Sequence, residues 1–355
     1  MNKNQNRLPL WLLIVLELLL TGAVLLIFAT FHHVLPRRNQ PKPQPIATIA
    51  HTETPSPAPT GTPKPAETPE AEEEAEKTAE PEESPEPTPE PTPEPAPLSW
   101  AERFADRFSD EPVWEDMRYR SPTMAVTITR HAYEEICPDS IFFVADVYLT
   151  NVQQLCTIFP LYGATFAEPV AIARGADAVL AINSDVFANQ RSAFVLRDGA
   201  LYSQNKTTTD LCVLCYDGRM LTLSPEEYEV EDVLAQEPWQ IWHFGPKLLD
   251  ADGHALAHFN INELLQSAHP RTAIGYYEPG HYCFVVVDGR QGGSRGATME
   301  TLAAIMEELG CAAAYNLDGG ASSIMIFHGQ LVNKALGERN LSDLIALMEP
   351  KEDGA

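Results

Sequence analysis

The sequence predicts an α+β (mixed α/β) domain, with mixed sheets, hairpins and packed helices, set behind one transmembrane helix and a disordered spacer. Three observations lead there. Short apolar, β-rich runs are interleaved with helical segments from residue 98 onward. Asp-Gly pairs sit between such runs around Arg197-Asp-Gly199 and Tyr216-Asp-Gly218, where a type I′ hairpin turn favours them. One strand–helix–strand unit spans residues 282–315, so helices and strands share a layer arrangement.

Leu8–Phe31 is an apolar run of 24 residues, interrupted by Glu17. As a helix it is roughly 36 Å long, enough to cross a bilayer core of about 30 Å with some tilt. No small-residue cleavage motif follows, because the next residues are His32, His33, Val34 and Leu35. An uncleaved anchor is therefore expected, with the carboxy-terminal part outside the cytoplasm. Lys3 and Arg7 on one side face Arg37 and Arg38 on the other, so flanking charge does not orient the helix.

Residues 41–97 hold 17 prolines and 13 glutamates against 3 lysines. Such a segment cannot bury enough apolar surface to offset chain entropy, and it is expected to be an extended spacer reaching up to roughly 170 Å as polyproline II. The expected organisation is thus an anchor with flanks over 1–40, a disordered acidic spacer over 41–97, and one folded domain over 98–355. Of the formal charge of −26, residues 98–355 contribute −19. That balance repels polyanions and excludes general nucleic-acid binding.

Within the domain, a helix is expected over Ser99–Phe108, then strands over Met124–Thr129 and Ile141–Leu149. Glu168–Arg174 reads as a helix stopped by Gly175. Ala178–Ile182 reads as a strand that runs into Asn183-Ser-Asp185. Tyr282–Val287 is an apolar strand ending at Asp288-Gly-Arg290. Thr298 is placed to cap a helix reaching Leu309, with Gly310 at its left-handed end. Strand Ala312–Tyr315, a loop over 316–323 and strand Ile324–Phe327 follow. The six cysteines include a Cys212-x-x-Cys215 pair in a β-like run, whose two side chains point to opposite faces. Buried thiols are the favoured reading; a disulfide, or metal or redox chemistry, are the alternatives.

Polar residues gather where apolar strands end: Asn183 and Asp185, Asp288 and Arg290, Asn316 and Asp318, with Arg271 and Thr272 before Ala273-Ile-Gly275. Loops at strand ends present side chains from a rigid frame. Asn316-Leu-Asp-Gly-Gly-Ala-Ser-Ser323 is the sharpest segment, since Gly319 and Gly320 admit close backbone approach and Ser322 and Ser323 add hydroxyls. Each Asp-Gly is also ordinary turn chemistry.

Taken in order, Arg271-Thr-Ala-Ile-Gly275, Val285-Val-Val-Asp-Gly-Arg290, the helix 299–309, Asn316 to Ser323 and Leu331-Val-Asn333 resemble the phosphodiester glycosidase family. That family holds the enzyme that uncovers mannose 6-phosphate and bacterial exopolysaccharide-associated proteins. Phe244-Gly-Pro246 and Ala181-Ile-Asn-Ser-Asp185 extend the resemblance, which covers roughly residues 120–348. Ser184 and Ala321 stand where the family favours glycine or another small residue.

The resemblance implies hydrolysis of a sugar-1-phosphodiester in cell-envelope or extracellular glycans. Asp185, Asp288 and Asp318 become the catalytic candidates, to stabilise positive charge at the anomeric carbon or activate water. Arg271 and Arg290 are the expected phosphate contacts, helped by the Gly319-Gly320 backbone, Ser322 and Ser323. Asn183, Thr272 and Asn316 complete the substrate-binding set. No cofactor is required, although three carboxylates near a phosphate leave a divalent cation open. Two alternatives stand beside hydrolysis: a non-catalytic glycan-binding or envelope-assembly module on the same fold, and a phosphodiesterase cutting P–O.

Overall fold

The computed structural model describes residues 44–45, 98–189, 193–259, 261 and 263–350. The expected membrane helix lies outside these residues, and so does the spacer apart from Gln44 and Pro45. Among the described residues, no helix is long and apolar enough to cross a membrane.

The domain is mostly sheet. A seven-stranded sheet runs in the order Ala313–Asn316, Arg271–Glu278, His281–Val287, Ile141–Leu149, Met124–Ala132, Arg118–Arg120 and Val113–Glu115. A five-stranded sheet orders Gln330–Leu331, Met325–Phe327, Leu180–Asn183, Leu344–Leu347 and Leu155–Ile158. The third sheet has six strands: Gln44–Pro45, Ala200–Gln204, Phe194–Arg197, Pro238–Trp242, Leu211–Cys215 and Met220–Leu223.

Every strand pairing among the described residues is antiparallel, which corrects the expected mixed sheets. The strand–helix–strand unit does not make a parallel pair, because Arg271–Glu278 inserts between its two strands and runs antiparallel to both.

Alternation along the strands explains the near-continuous apolar runs. On His281–Val287, Cys283, Val285 and Val287 pack with Met299, Leu302 and Met306 of the helix Met299–Glu308. Tyr282, Phe284 and Val286 face the other way, into a core shared with Leu180, Ile182 and Met325 of the five-stranded sheet. Both faces are buried, so neither needs polar residues. Thr298 caps the helix by accepting from the Thr301 N–H at 3.2 Å, and Gly310 stands at φ 77° beyond its end. A β-carbon on Gly275 would lie 2.6 Å from Cys283 Sγ and 2.7 Å from Cys311 Sγ, so only glycine lets the helix seat here.

Several local expectations shift. The first helix covers only Trp100–Arg103, because Phe104 leaves it to pack edge-on against Tyr148 at 5.1 Å. Ser99 and Glu102 form a capping box at its start. The next helix, Pro169–Gly175, retains Gly175, and Asp177 at φ 57° makes the left-handed exit. Asp198 and Gly199 have φ 50° and 74°, as a type I′ turn requires. The second hairpin has a longer loop, since the Gly218 N–H bonds to the Cys215 carbonyl and Asp217 accepts from the Arg219 N–H. Cys212 and Cys215 lie in separate cores on opposite faces of their strand. Cys137, Cys283 and Cys311 are buried thiols as well.

Candidate active site

The polar strand ends singled out in the sequence converge, and Asn183 joins them. It is 1% exposed at the end of Leu180–Asn183. Its Nδ2 donates to the main-chain carbonyl of Asp318 at 2.6 Å, while Oδ1 accepts from Thr272 Oγ1 at 2.7 Å and the Ile324 N–H at 3.2 Å. The Leu317 N–H bonds to the Thr272 carbonyl at 2.8 Å, fixing the approach to the Asp318 loop.

The three aspartates are held differently. Asp185 is fully buried, with Oδ1 accepting from Arg197 Nη2 at 2.5 Å and Oδ2 from the His243 N–H at 2.7 Å. Arg197 is itself buried and also donates to the Ile241 carbonyl. Asp288 accepts from Asn333 Nδ2 at 2.9 Å and the Lys334 N–H at 3.1 Å; Asn333 in turn donates to the Ser323 carbonyl at 3.1 Å and accepts from the Met325 N–H at 2.8 Å. Burial pushes the Asp288 carboxyl above the usual range.

Asp318 differs. Oδ1 accepts from the Gly319 N–H at 2.9 Å, whereas Oδ2 is buried with no hydrogen bond of full geometry among the described residues, although the Ser322 hydroxyl stands near enough to favour the charged carboxylate. Arg339 Nη2 stands 4.0 Å away, beyond hydrogen-bond reach. Burial raises the pKa of Asp318 as well. Asn316 Oδ1, Ser322 Oγ, Ser323 Oγ and Asp343 Oδ2 are also buried without partners among the described residues. Buried polar atoms are nearly always satisfied, and of these residues Asp318 and Asp343 border one pocket, which marks it as a place open to a polar ligand.

The expected phosphate contacts divide. Arg271 is 1% exposed and donates to the carbonyls of Ala297, Leu265 and Ser267 at 2.9, 2.7 and 3.0 Å. Burial, with Arg290 nearby, brings its pKa down to about 10. Arg290 is exposed; its Nε donates to His269 Nδ1 at 3.1 Å, and its Nη1 lies 3.5 Å from where a β-carbon on Gly320 would stand. The Gly319 and Gly320 N–H groups are already taken up, by Asp318 Oδ1 and by the Pro270 carbonyl at 2.9 Å. Gly319 serves close packing, since a β-carbon there would meet the Pro270 carbonyl oxygen at 2.9 Å, and Gly320 supplies a left-handed φ of 68°. Asn316 Nδ2 donates to the Gly245 carbonyl at 2.7 Å, tying in the Phe244-Gly-Pro246 segment.

A pocket opens beside Asp318, lined by Asn183, Ser184, Val186, Arg339, Ser342 and Asp343 among others. Val186, at φ 60°, is strained for a β-branched residue. It is held by the next two N–H groups, Phe187 to Asp343 Oδ1 at 2.9 Å and Ala188 to Ser342 Oγ at 3.3 Å. Arg339 and Asp343 were missed in the sequence because they follow no apolar strand and sit in no motif. Asn333, quoted only as part of a motif, proves to brace Asp288. Among the described residues, no group of three or more His, Cys, Asp or Glu side chains could hold a metal ion.

Residues 176–348 match the family model of the phosphodiester glycosidases. This is the family the motifs resemble, over a shorter span than the motifs suggested. The chain is also 28% identical over 201 residues to the SPbeta prophage-derived uncharacterized protein YomE of Bacillus subtilis strain 168, covering 54% of this chain and 31% of that protein. It therefore spans about a third of that relative's length. Among solved structures, the catalytic domain of zebrafish N-acetylglucosamine-1-phosphodiester alpha-N-acetylglucosaminidase, auto-inhibited by its pro-peptide, superposes with a TM-score of 0.51 at 18% identity. The match covers 65% of this chain and 85% of that one, and it speaks to the fold.

Proposed function

We propose that the chain is a phosphodiester glycosidase that hydrolyses sugar-1-phosphodiesters, freeing the sugar and leaving the phosphate on its other alcohol. The observation that carries this reading is the Asp318 carboxylate, which lines a pocket with its Oδ2 in no full hydrogen bond and the Arg339 guanidinium 4.0 Å away. A phosphomonoester leaves readily, so the site chiefly needs negative charge near the anomeric carbon and donors on the phosphate. Asp318 supplies the first, either by stabilising an oxocarbenium-like transition state or by accepting a proton from water. Its raised pKa suits the second role. Arg290 supplies the exposed guanidinium beside Gly320, and the Ser323 hydroxyl adds a donor.

The remaining residues hold this arrangement. Asn183 and Thr272 fix the Asp318 loop, Asp288 and Asn333 fix Ser323, and Arg271 gathers the carbonyls of the adjoining segment. Asp185, paired with Arg197, accepts from the hydroxyl of Ser184, which lines the pocket. The long apolar run and acidic spacer favour an extracytoplasmic site of action on cell-envelope or extracellular glycans, with the domain tethered to the cell membrane.

The test is incubation of the purified full chain with methyl diesters of N-acetylglucosamine-, glucose-, galactose- and mannose-1-phosphate. Release of free sugar and methyl phosphate from at least one is expected, falling by about 10³-fold or more in Asp318→Asn. A folded protein that binds these diesters yet cleaves none would instead be a glycan-binding module.

A further inference from the structure

We infer that the pocket bounded by Asp318, Arg339 and Asp343 is the sugar subsite, and that Asp343 and Arg339 determine which sugar it accepts. This deepens the phosphodiester glycosidase reading and rests on it.

Asp343 is 2% exposed, and its two carboxylate oxygens differ. Oδ1 accepts from the Phe187 N–H at 2.9 Å and from Ser342 Oγ at 2.7 Å, while Oδ2 has no partner among the described residues. Asp318 Oδ2 makes no full hydrogen bond either, with only the Ser322 hydroxyl near it, and both residues line one pocket. Two carboxylates with acceptor capacity to spare on one pocket call for a ligand that brings hydrogen-bond donors. Phosphate cannot meet that demand, because its oxygens are acceptors and its charge would face Asp318 and Asp343, with Asp185 behind them. Sugar hydroxyls can, as they donate to both carboxylates and still accept from the Arg339 guanidinium. The substrate is thereby oriented: its phosphate lies toward Arg290 and Gly320, its sugar toward Asp343.

The frame around Asp343 is rigid enough to discriminate. Asp343 immediately precedes Leu344–Leu347, whose Leu344 is in register with Asn183. The strained Val186 segment closes over it from the other side. A site that hydrogen-bonds a hydroxyl strongly rejects the analogue lacking it, because the buried acceptor is then left unpaired. Arg339 is half-exposed, so it borders the pocket mouth and can meet a hydroxyl nearer to solvent.

The test has two arms on the full chain. In the first, kcat/KM is measured for the best-cleaved methyl diester and for each of its monodeoxy analogues. The wild type should reject one analogue by about 100-fold or more. Asp343→Ala should bring that ratio to within a few-fold while inhibition by methyl phosphate stays unchanged. A folded Asp343→Ala that keeps the full ratio overturns the assignment, since a merely structural residue would lower activity without moving the ratio. In the second arm, free N-acetylglucosamine, glucose, galactose and mannose are titrated by calorimetry. Binding of at least one to the wild type, weakened in both Asp343→Ala and Arg339→Ala, supports the subsite even if no diester is cleaved. In that case only the hydrolytic reading falls. Binding to none of the four by a folded wild type overturns the subsite itself.

Discussion

Asn183 donates its side-chain amide to the main-chain carbonyl of Asp318 at 2.6 Å, so the end of one strand sets the position of a loop 135 residues later. The same side chain donates its second N–H to the Ser184 carbonyl at 3.3 Å and accepts from Thr272 and Ile324, which leaves it no capacity for a ligand. Asn183→Asp keeps the size but turns a donor toward a carbonyl into an acceptor. The expected outcome is a stability loss of about 1–3 kcal/mol in urea titration, with turnover of the folded fraction down by at least about tenfold. Thr272→Val removes one bond and should cost only about 1 kcal/mol.

Asp185 and Arg197 test the opposite kind of role. Both side chains are wholly buried, and each depends on the other for its charge. Asp185→Asn leaves the Arg197 guanidinium buried without its carboxylate and should destabilise the protein by about 3–5 kcal/mol, read from the denaturation midpoint. Asp318→Asn breaks no ion pair of hydrogen-bond length, so its midpoint should stay close to that of the wild type while its turnover collapses.

Asp343 links the pocket to pH. Burial first, then the nearby Asp185, raises its pKa to about 6 from an ordinary 3.8, against the pull of Arg197. The folded state therefore holds this proton more tightly than the unfolded chain does. The resulting stabilisation is complete below about pH 4 and lost as pH rises through about 6. Asp343→Asn lacks that loss. Relative to the wild type, it should gain stability between pH 4 and pH 7, by up to about 3 kcal/mol, in paired urea titrations at the two values. No change in the difference with pH would show that Asp343 stays ionised throughout.

Much of the frame was legible in the sequence, because period-two burial and capping are local. The runs at 141–149 and 282–287, the Thr298 cap and the Gly310 exit all follow from neighbouring residues. Convergence of Asn183, Asp288, Asp318 and Thr272 was legible too, as polar residues at the ends of apolar strands. What each polar group touches was not. Arg271 and Arg290 look alike in sequence, yet one gathers backbone carbonyls and the other is exposed beside Gly320. Arg197 reads as a residue before an Asp-Gly turn, and only the fold brings it to Asp185. Pairing direction was equally hidden, since a strand from earlier in the chain separates the two ends of the one strand–helix–strand unit. Arg339 and Asp343 carry no local pattern, and their place beside Asp318 depends on the register of Leu344 with Asn183.

The bond that breaks is the most direct measure of the proposed chemistry. The full chain should be incubated with a glycosyl-1-phosphate methyl diester in ¹⁸O-water and the methyl phosphate product weighed by mass spectrometry. Attack at the anomeric carbon, assisted by Asp318, leaves the bridging oxygen on phosphorus, so the methyl phosphate should carry no heavy oxygen. Incorporation of ¹⁸O into the phosphate product, whether methyl phosphate or sugar-1-phosphate, would mean that water attacks phosphorus and that the glycosidase assignment is wrong.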